Sequence, residues 1–423
     1  VGNIDQRGFS NQYGGAPEWL DAAAAIRLLG VKRETLYAYA SRGLVRSVVA
    51  PPGARGHLYL RDDLERLRAR RDARAGHGPV AAAALKWGEP VLSSAITRLD
   101  AAGPAYRGVP ATRLAAEGAP FERVAELLWT GVAPAERPLW PRLARAMLGR
   151  VAAQVPRGTP PLQTMLLVAP ALGVRDPARV HLAEEAERER ARGLIGALAA
   201  TMGAGVGLGP KVAEAPTIAE CALRALGVAR PSARALALVE KALVLSADHE
   251  LNASTFAARV TASAGADLYA CVTTALAVMT GPLHGGAADR VAALVEEVGR
   301  PARARAVVTA RAARGEALPG FGHTLYRDGD PRARPLLDGA QAIGGRRREL
   351  AALFALGDAV RALRGEEPTV DLGLVAVAIA LGLPPGAPSA LFALGRLAGC
   401  VAHVIEQRAQ GFLLRPRAHY VGP

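Results

Sequence analysis

An all-α fold is what this sequence predicts, and three observations predict it. Half of the 423 residues are hydrophobic while aromatics make up only 4%, so any core is built from Ala, Leu and Val. Ala and Leu are strong helix formers, and here they recur at helical spacing. Beyond the first 80 residues the chain reads as amphipathic and fully apolar helices punctuated by Gly and Pro, without an internal repeat. A chain of 423 residues exceeds one small domain and implies two or three.

Residues 1–16 are polar and Gly-rich and read as a disordered tail, without the basic-then-apolar pattern of a signal peptide. Residues 17–75 form a self-contained pattern. In WLDAAAAIRLLGVKRETLYAYASRGLV the residues Leu20, Ala24, Leu28 and Leu29 are expected on one helical face. Gly30 supplies the left-handed residue of a tight turn, and a second helix is expected from near Lys32. Leu36 and Tyr39 would pack it back on the first, leaving Lys32, Arg33, Thr35 and Tyr37 outside. The following RSVVAPPGARGHLYLRDDLERL reads as a β-hairpin with Arg55 and His57 at its tip, then a further helix. This block resembles the winged helix-turn-helix of MerR-type and excisionase-type proteins. The resemblance implies double-stranded DNA as a partner, with Arg46, Arg55 and Arg61 as phosphate contacts. The net charge of +14 agrees, although an Arg-rich composition alone would produce it.

A Gly/Pro linker follows at Gly76–Pro79, and residues 80–423 form the second part. The most apolar stretch, LGLVAVAIALGLPPG from Leu372, is broken by Pro384 and Pro385 short of a membrane span and reads as a buried helix. Cys221, Cys271 and Cys400 show neither disulfide nor zinc spacing, so no metal is expected and a reducing cytoplasm fits.

Four segments carry residue types that packing does not explain. SADHELNASTFAARV places His249 between Asp248 and Glu250, and MTGPLHGGAADRVAALVEEVG places His284 before two glycines and a helix. LPGFGHTLYRDGDPRARPL carries His323, Arg327 and Arg332, and EEPTVDLGLVAVAIA carries Asp371 into a helix apolar on every side. Together and in this order they resemble the citrate synthase family over roughly Ala82 to Pro423. The resemblance implies large and small helical domains, the small one at about 286–379. A short β-hairpin is expected near Pro90 to Tyr106.

That family condenses acetyl-CoA with oxaloacetate, and the resemblance gives each residue a role. Asp371 would be the base that removes a weakly acidic methyl proton, its basicity raised by an apolar setting. His284 would donate to the thioester oxygen, kept neutral by the helix that starts after it. Gly285 and Gly286 would let backbone and thioester approach. His323 would serve the developing alkoxide, and His249, Arg332, Arg396 and Arg415 would hold oxaloacetate, the last reaching in from a partner subunit of a homodimer. Leu318, Gly320 and Gly322 would offer backbone groups to CoA and Arg327 a phosphate contact. Acyl-CoA is then a substrate, and no cofactor is implied. HGGAADR stands where the family has HGGANE, and PTVD where it has PNVD, so Ala288, Asp289 and Thr369 depart from the pattern. Two function classes stay open: an enzyme with an appended DNA-binding module, or a transcription regulator sensing acyl-CoA or oxaloacetate. The retained base favours the enzyme, and a 2-methylcitrate synthase using propionyl-CoA is a variant of it.

Overall fold

The computed structural model describes residues 19–50, 56–73 (side chains as far as Leu67), 92–208, 215–326, 328–345, 347–416, 418 and 422. Contacts divide the chain into two units, Val1–Ser93 and Ser94–Pro423. The expected tail and the Gly76–Pro79 linker lie outside the described residues.

The first unit runs β1 (Trp19–Asp21), α1 (Ala22–Leu29), α2 (Arg33–Ser41), β2 (Ser47–Val49), β3 (His57–Leu60) and α3 (Arg61–Ala73). Its strands form an antiparallel sheet in the order β1-β3-β2. Asp21 ends β1 and caps α1 by accepting the Ala24 N–H at 2.7 Å. Gly30 closes α1 at φ 59°, its N–H donating to the Ile26 carbonyl, which is the turn expected there.

Ala25, Leu29, Leu36, Val45, Tyr59 and Leu64 form a small core, with Leu20, Ala22, Ile26 and Leu28 alongside. The buried stripe of α1 therefore centres on Ala25 rather than Ala24. β1 sets the rotation at which the helix starts, and in an Ala-rich run the sequence carries little phase information. On α2, Lys32, Arg33 and Tyr37 are exposed and Thr35 is half-buried. Arg55 lies outside the described residues. The Arg46 guanidinium, assigned above to a phosphate, clasps Asp63 at 2.8 and 3.0 Å within the unit. Arg61 similarly pairs with Glu65.

The second unit is mostly helical, with one small antiparallel sheet of β4 (Thr97–Asp100), β5 (Gly103–Tyr106) and β6 (Val109–Pro110). The expected hairpin is thus present with a third strand added. The helices that follow are α4 (Ala111–Ala116), α5 (Phe121–Thr130), α6 (Arg145–Ala152), α7 (Pro161–Gly173), α8 (Glu184–Thr201), α9 (Ile218–Ala225) and α10 (Ala233–Ser246). Next come α11 (Ala253–Ser263), α12 (Leu268–Met279), α13 (Ala287–Val298), α14 (Ala304–Ala313), α15 (Ala333–Gly344), α16 (Arg348–Arg364), α17 (Val370–Leu381) and α18 (Ala387–Gln410). The helical fold expected is thus present, with two small sheets added among the described residues. Residues 286–379, expected as a small domain, supply α13 to α17 within this unit.

The 24-residue α18 is long and apolar enough to cross a membrane, but its apolar window is entirely buried inside the unit. It packs against α5, α7, α8, α10, α11, α12, α13 and α17. α17, with Leu372, Leu374, Val375, Ala376 and Val377 all buried, is the buried helix expected from its composition.

Close approach along α18 depends on glycine. The Gly399 N–H donates to the Ala247 carbonyl at 2.9 Å. A Cβ on Gly399 would overlap Asp248 Oδ1 and the Ala247 carbonyl. Gly399→Ala is accordingly expected to destabilise the protein by about 1–3 kcal/mol, because overpacking here meets backbone as well as side chain. Thermal unfolding of the variant measures this, and an unchanged midpoint would contradict the tight contact.

Candidate active site

The site is assembled from three chain turns and the buried faces of two helices. α10 stops at Ser246, and the turn after it carries Asp248 and His249, both buried, then Glu250 in the left-handed region at φ 55°. Asp248 Oδ2 accepts the Glu250 N–H at 3.1 Å and holds that turn. Asn252 then caps α11, which presents Ser254.

His284 sits half-buried in the short loop between α12 and α13. Its Nε2 lies 2.8 Å from Ser254 Oγ, and its ring meets Phe392 of α18 edge-on at 5.8 Å. Gly285 and Gly286 are needed here because a Cβ would come within 2.6 Å of the Met279 carbonyl and 2.9 Å of the Thr280 carbonyl. The close approach seen is thus to the chain's own backbone. Asp289, a departure from the family pattern, accepts the Ser389 hydroxyl at 2.9 Å and ties α13 to α18.

The third turn carries His323, half-buried, and Tyr326, buried. The Leu325 N–H donates to His323 Nδ1 at 3.1 Å, so a neutral His323 carries its proton on Nε2. The next anchor is Arg332, buried with its guanidinium on Asp330 at 2.9 and 2.8 Å. Asp330 also accepts the Val370 N–H at 2.9 Å, the first residue of the helix that bears Asp371. Asp371 follows at once, buried, with the Thr369 hydroxyl donating to it at 3.2 Å. On α18, Arg396 is buried, donates from Nε to the Ser246 carbonyl at 2.8 Å and covers the Phe392 ring at 4.7 Å.

These groups share one electrostatic neighbourhood. Burial, and then the charges of Arg332 and Arg396, hold His249 far below the usual imidazole range. Burial and then Arg396 push His284 down to about 3. Desolvation and a guanidinium thus favour the neutral state expected of His284. Burial and then Arg332 bring His323 to about 4. Burial raises Asp371 to about 6 although Arg332 opposes the shift. Near neutral pH the site therefore pairs one buried carboxylate base with three neutral imidazoles and two buried guanidinium groups. A cavity of about 530 Å³ adjoins it, lined among others by Arg98, Glu250 and Leu325. Such a set can remove a proton from carbon, donate hydrogen bonds to oxygens that gain charge, and hold carboxylates.

His249, His323 and Arg332 gather around Tyr326, Asp371 and Arg396 both lie within reach of the Arg332 charge, and His284 approaches Arg396 across the Phe392 ring. Arg415 does not join them: it is exposed beyond α18, and no hydrogen bond or ion pair links it to the described site residues. Arg327 lies outside the described residues. In the 318–322 loop two of the backbone groups are engaged within the chain. Leu318 is buried, the Gly320 carbonyl accepts the Thr369 N–H at 2.8 Å, and the Gly322 N–H donates to the Glu367 carbonyl at 2.9 Å. With the Phe321–Pro368 bridge, these bonds clasp the His323 turn to the start of α17. Tyr326, Asp330, Ser254 and Phe392 escaped the sequence reading. Asp330 and Tyr326 stand within three residues of Arg332 and His323, so proximity to a polar motif was their only trace. Among the described residues, no group of three His, Cys, Asp or Glu is placed to hold a metal ion.

Comparison with known proteins gives a consistent set of relatives. A family model described as citrate synthase, C-terminal domain, matches residues 84–417. A putative citrate synthase 2 of Mycobacterium tuberculosis is 43% identical over 199 residues, covering 46% of this chain and 53% of that protein. Citrate synthase 2 of Bacillus subtilis is 37% identical over 49% of this chain and 56% of its own length. The chain thus spans about half the length of these two relatives. A 2-methylcitrate synthase of Mycobacterium tuberculosis is 33% identical over 75% of this chain and 84% of its own length. Among solved structures, the citrate synthase of Thermoplasma acidophilum, in ternary complex with carboxymethyl coenzyme A and oxaloacetate, superposes with a TM-score of 0.69. It shares 26% identity over 79% of this chain and 94% of its own.

Proposed function

This chain belongs to the citrate synthase family, and we propose that it condenses an acyl-CoA thioester with oxaloacetate and hydrolyses the product to release CoA. The observation that carries the proposal is the placement of Asp371, a buried carboxyl at the start of α17, directly after Val370, whose N–H is held by the Arg332-bound Asp330. The base takes a proton from the acyl α-carbon while His284 donates to the thioester oxygen, giving an enol. The enol carbon bonds to the ketone carbon of oxaloacetate as the enol O–H proton returns to His284; His323 Nε2–H protonates the oxygen that becomes the alcohol and is reprotonated from solvent, to which Asp371 gives up the proton it took. Water then cleaves the thioester, and the thiol leaves with a proton. Arg332, Arg396 and His249 hold the oxo acid, and Arg415 of a partner subunit completes the set in a homodimer. CoA would meet the 318–322 loop and Arg327. Acetyl-CoA and propionyl-CoA both suit this chemistry, since one methylene in an apolar pocket changes discrimination modestly.

Thiol release from each thioester, with and without oxaloacetate, tests the reading. Release that requires oxaloacetate supports it and ranks the two acyl groups. No release from either thioester by a folded protein would sink it.

A second reading concerns the first unit alone. Helix, Gly30 turn, helix, hairpin and helix follow in the order of a winged helix-turn-helix, and Lys32, Arg33 and Tyr37 stand exposed on α2. We propose that this face, with Thr35 and Arg55, contacts double-stranded DNA, and that the protein works in the cytoplasm where DNA and acyl-CoA are both at hand. Fluorescence anisotropy on duplex DNA tests it. Binding that weakens steeply with salt and with Arg33→Ala supports it, and no binding at low salt would end it.

A further inference from the structure

Tyr326 meets three of the groups assigned to the oxo acid. Its hydroxyl lies 2.8 Å from His249 Nε2. Its ring stacks on His323 at 4.4 Å with 27° between the planes, and the Arg332 guanidinium carbon stands 5.6 Å from the ring centroid. The His249 and His323 rings are 5.8 Å apart and nearly perpendicular, so neither orients the other by stacking. Tyr326 is buried, with 2% of its surface exposed.

A filler residue would need only volume. Here each end of the phenol has a separate task. The hydroxyl is a hydrogen-bond partner for a buried imidazole nitrogen, which is costly to leave unpaired. The ring fixes the plane of His323, whose Nδ1 is already held by the Leu325 N–H. The two constraints together aim the His323 Nε2 proton.

We infer that Tyr326 is a positioning residue of the oxo-acid subsite, its hydroxyl setting the hydrogen-bonding state of His249 and its ring setting the orientation of His323. The inference rests on the assignment of oxaloacetate to this site. It implies that the two halves of the side chain can be separated by substitution. Tyr326→Phe keeps the stack and removes the hydroxyl, whereas Tyr326→Leu removes both.

The test is calorimetric titration of oxaloacetate into wild type and both variants, with thiol-release kinetics alongside. Tyr326→Phe is expected to weaken oxaloacetate binding about 10-fold, the cost of leaving one buried partner unsatisfied, with the acyl-CoA KM unchanged. Tyr326→Leu should in addition lower kcat, since His323 loses its plane. On a His249→Leu background, Tyr326→Phe should cost little more, because the shared bond is already gone. Wild-type affinity in Tyr326→Phe, or an undiminished 10-fold loss on the His249→Leu background, would overturn the inference. In the first case thiol release by the wild type would leave the synthase reading standing. A wild type that binds no oxaloacetate would overturn both.

Discussion

Replacing Asp371 by Asn is expected to lower kcat for thiol release by about 10³-fold, the middle of the range for a lost general base. Asn keeps the volume and the bond from the Thr369 hydroxyl, so the site remains packed. The wild type should lose activity as pH falls through about 6, because protonation removes the base, and the residual activity of the variant should lack that step. Stability should move the other way. The carboxyl is raised in the folded state, so the wild type loses stability as pH rises from the ordinary carboxyl range, 3.8, through about 6. Asn has no charge to bury. Its advantage in thermal unfolding should therefore grow across that window and stay constant above it. A variant within 10-fold of wild-type kcat would dismiss Asp371 as the base.

Asp330→Ala is expected to give the largest loss of stability, about 3–5 kcal/mol at neutral pH, because it leaves the Arg332 guanidinium buried without its counter-charge. The two side chains are 0% and 4% exposed, so water can do little to replace the lost partner. The Val370 N–H would also lose its acceptor. Removing both charges, in Asp330→Ala with Arg332→Ala, should be milder than removing the aspartate alone. Burial by itself would raise the Asp330 carboxyl, but the Arg332 guanidinium and the converging N–H donors hold it below its usual value. The stabilisation is thus present above the ordinary carboxyl range and lost as pH falls through the depressed value. The gap between wild type and variant in denaturant unfolding should narrow in acid. A gap unchanged down to strongly acid pH would refute the pairing.

Much of this site was legible because its chemistry is locally written. His249, His284, His323 and Asp371 each stand in a segment whose Gly, Pro or acidic neighbours distinguish it from packing. Their partners were not legible, since each contact spans a long stretch of chain. Tyr326 reaches His249 across 77 residues, Asp330 reaches Val370 across 40, and Ser254 reaches His284 across 30. The same holds in the first unit, where Arg46 looked available to a phosphate until the fold brought Asp63 beneath it. Helix existence was readable from Ala and Leu periodicity, but helix phase was not. An Ala-rich face offers little contrast between Ala24 and Ala25, and the strand that leads into α1 decides the matter.

The bridge between Phe321 and Pro368 has a consequence for how such a chain can change length. The bonds from Thr369 to Gly320 and from Gly322 to Glu367 set the His323 turn and the Asp371 carboxylate in fixed register. An added residue between Pro368 and Asp371 would advance the carboxylate by about 3.3 Å, the rise of an extended residue, where catalytic placement tolerates about 0.5 Å. Between Arg314 and Leu318, or between Gly344 and Arg348, the same insertion falls in a connection outside this clasp. Natural variation in length should gather at those connections and stop at the clasp, so that its spacing serves as a ruler for the whole site.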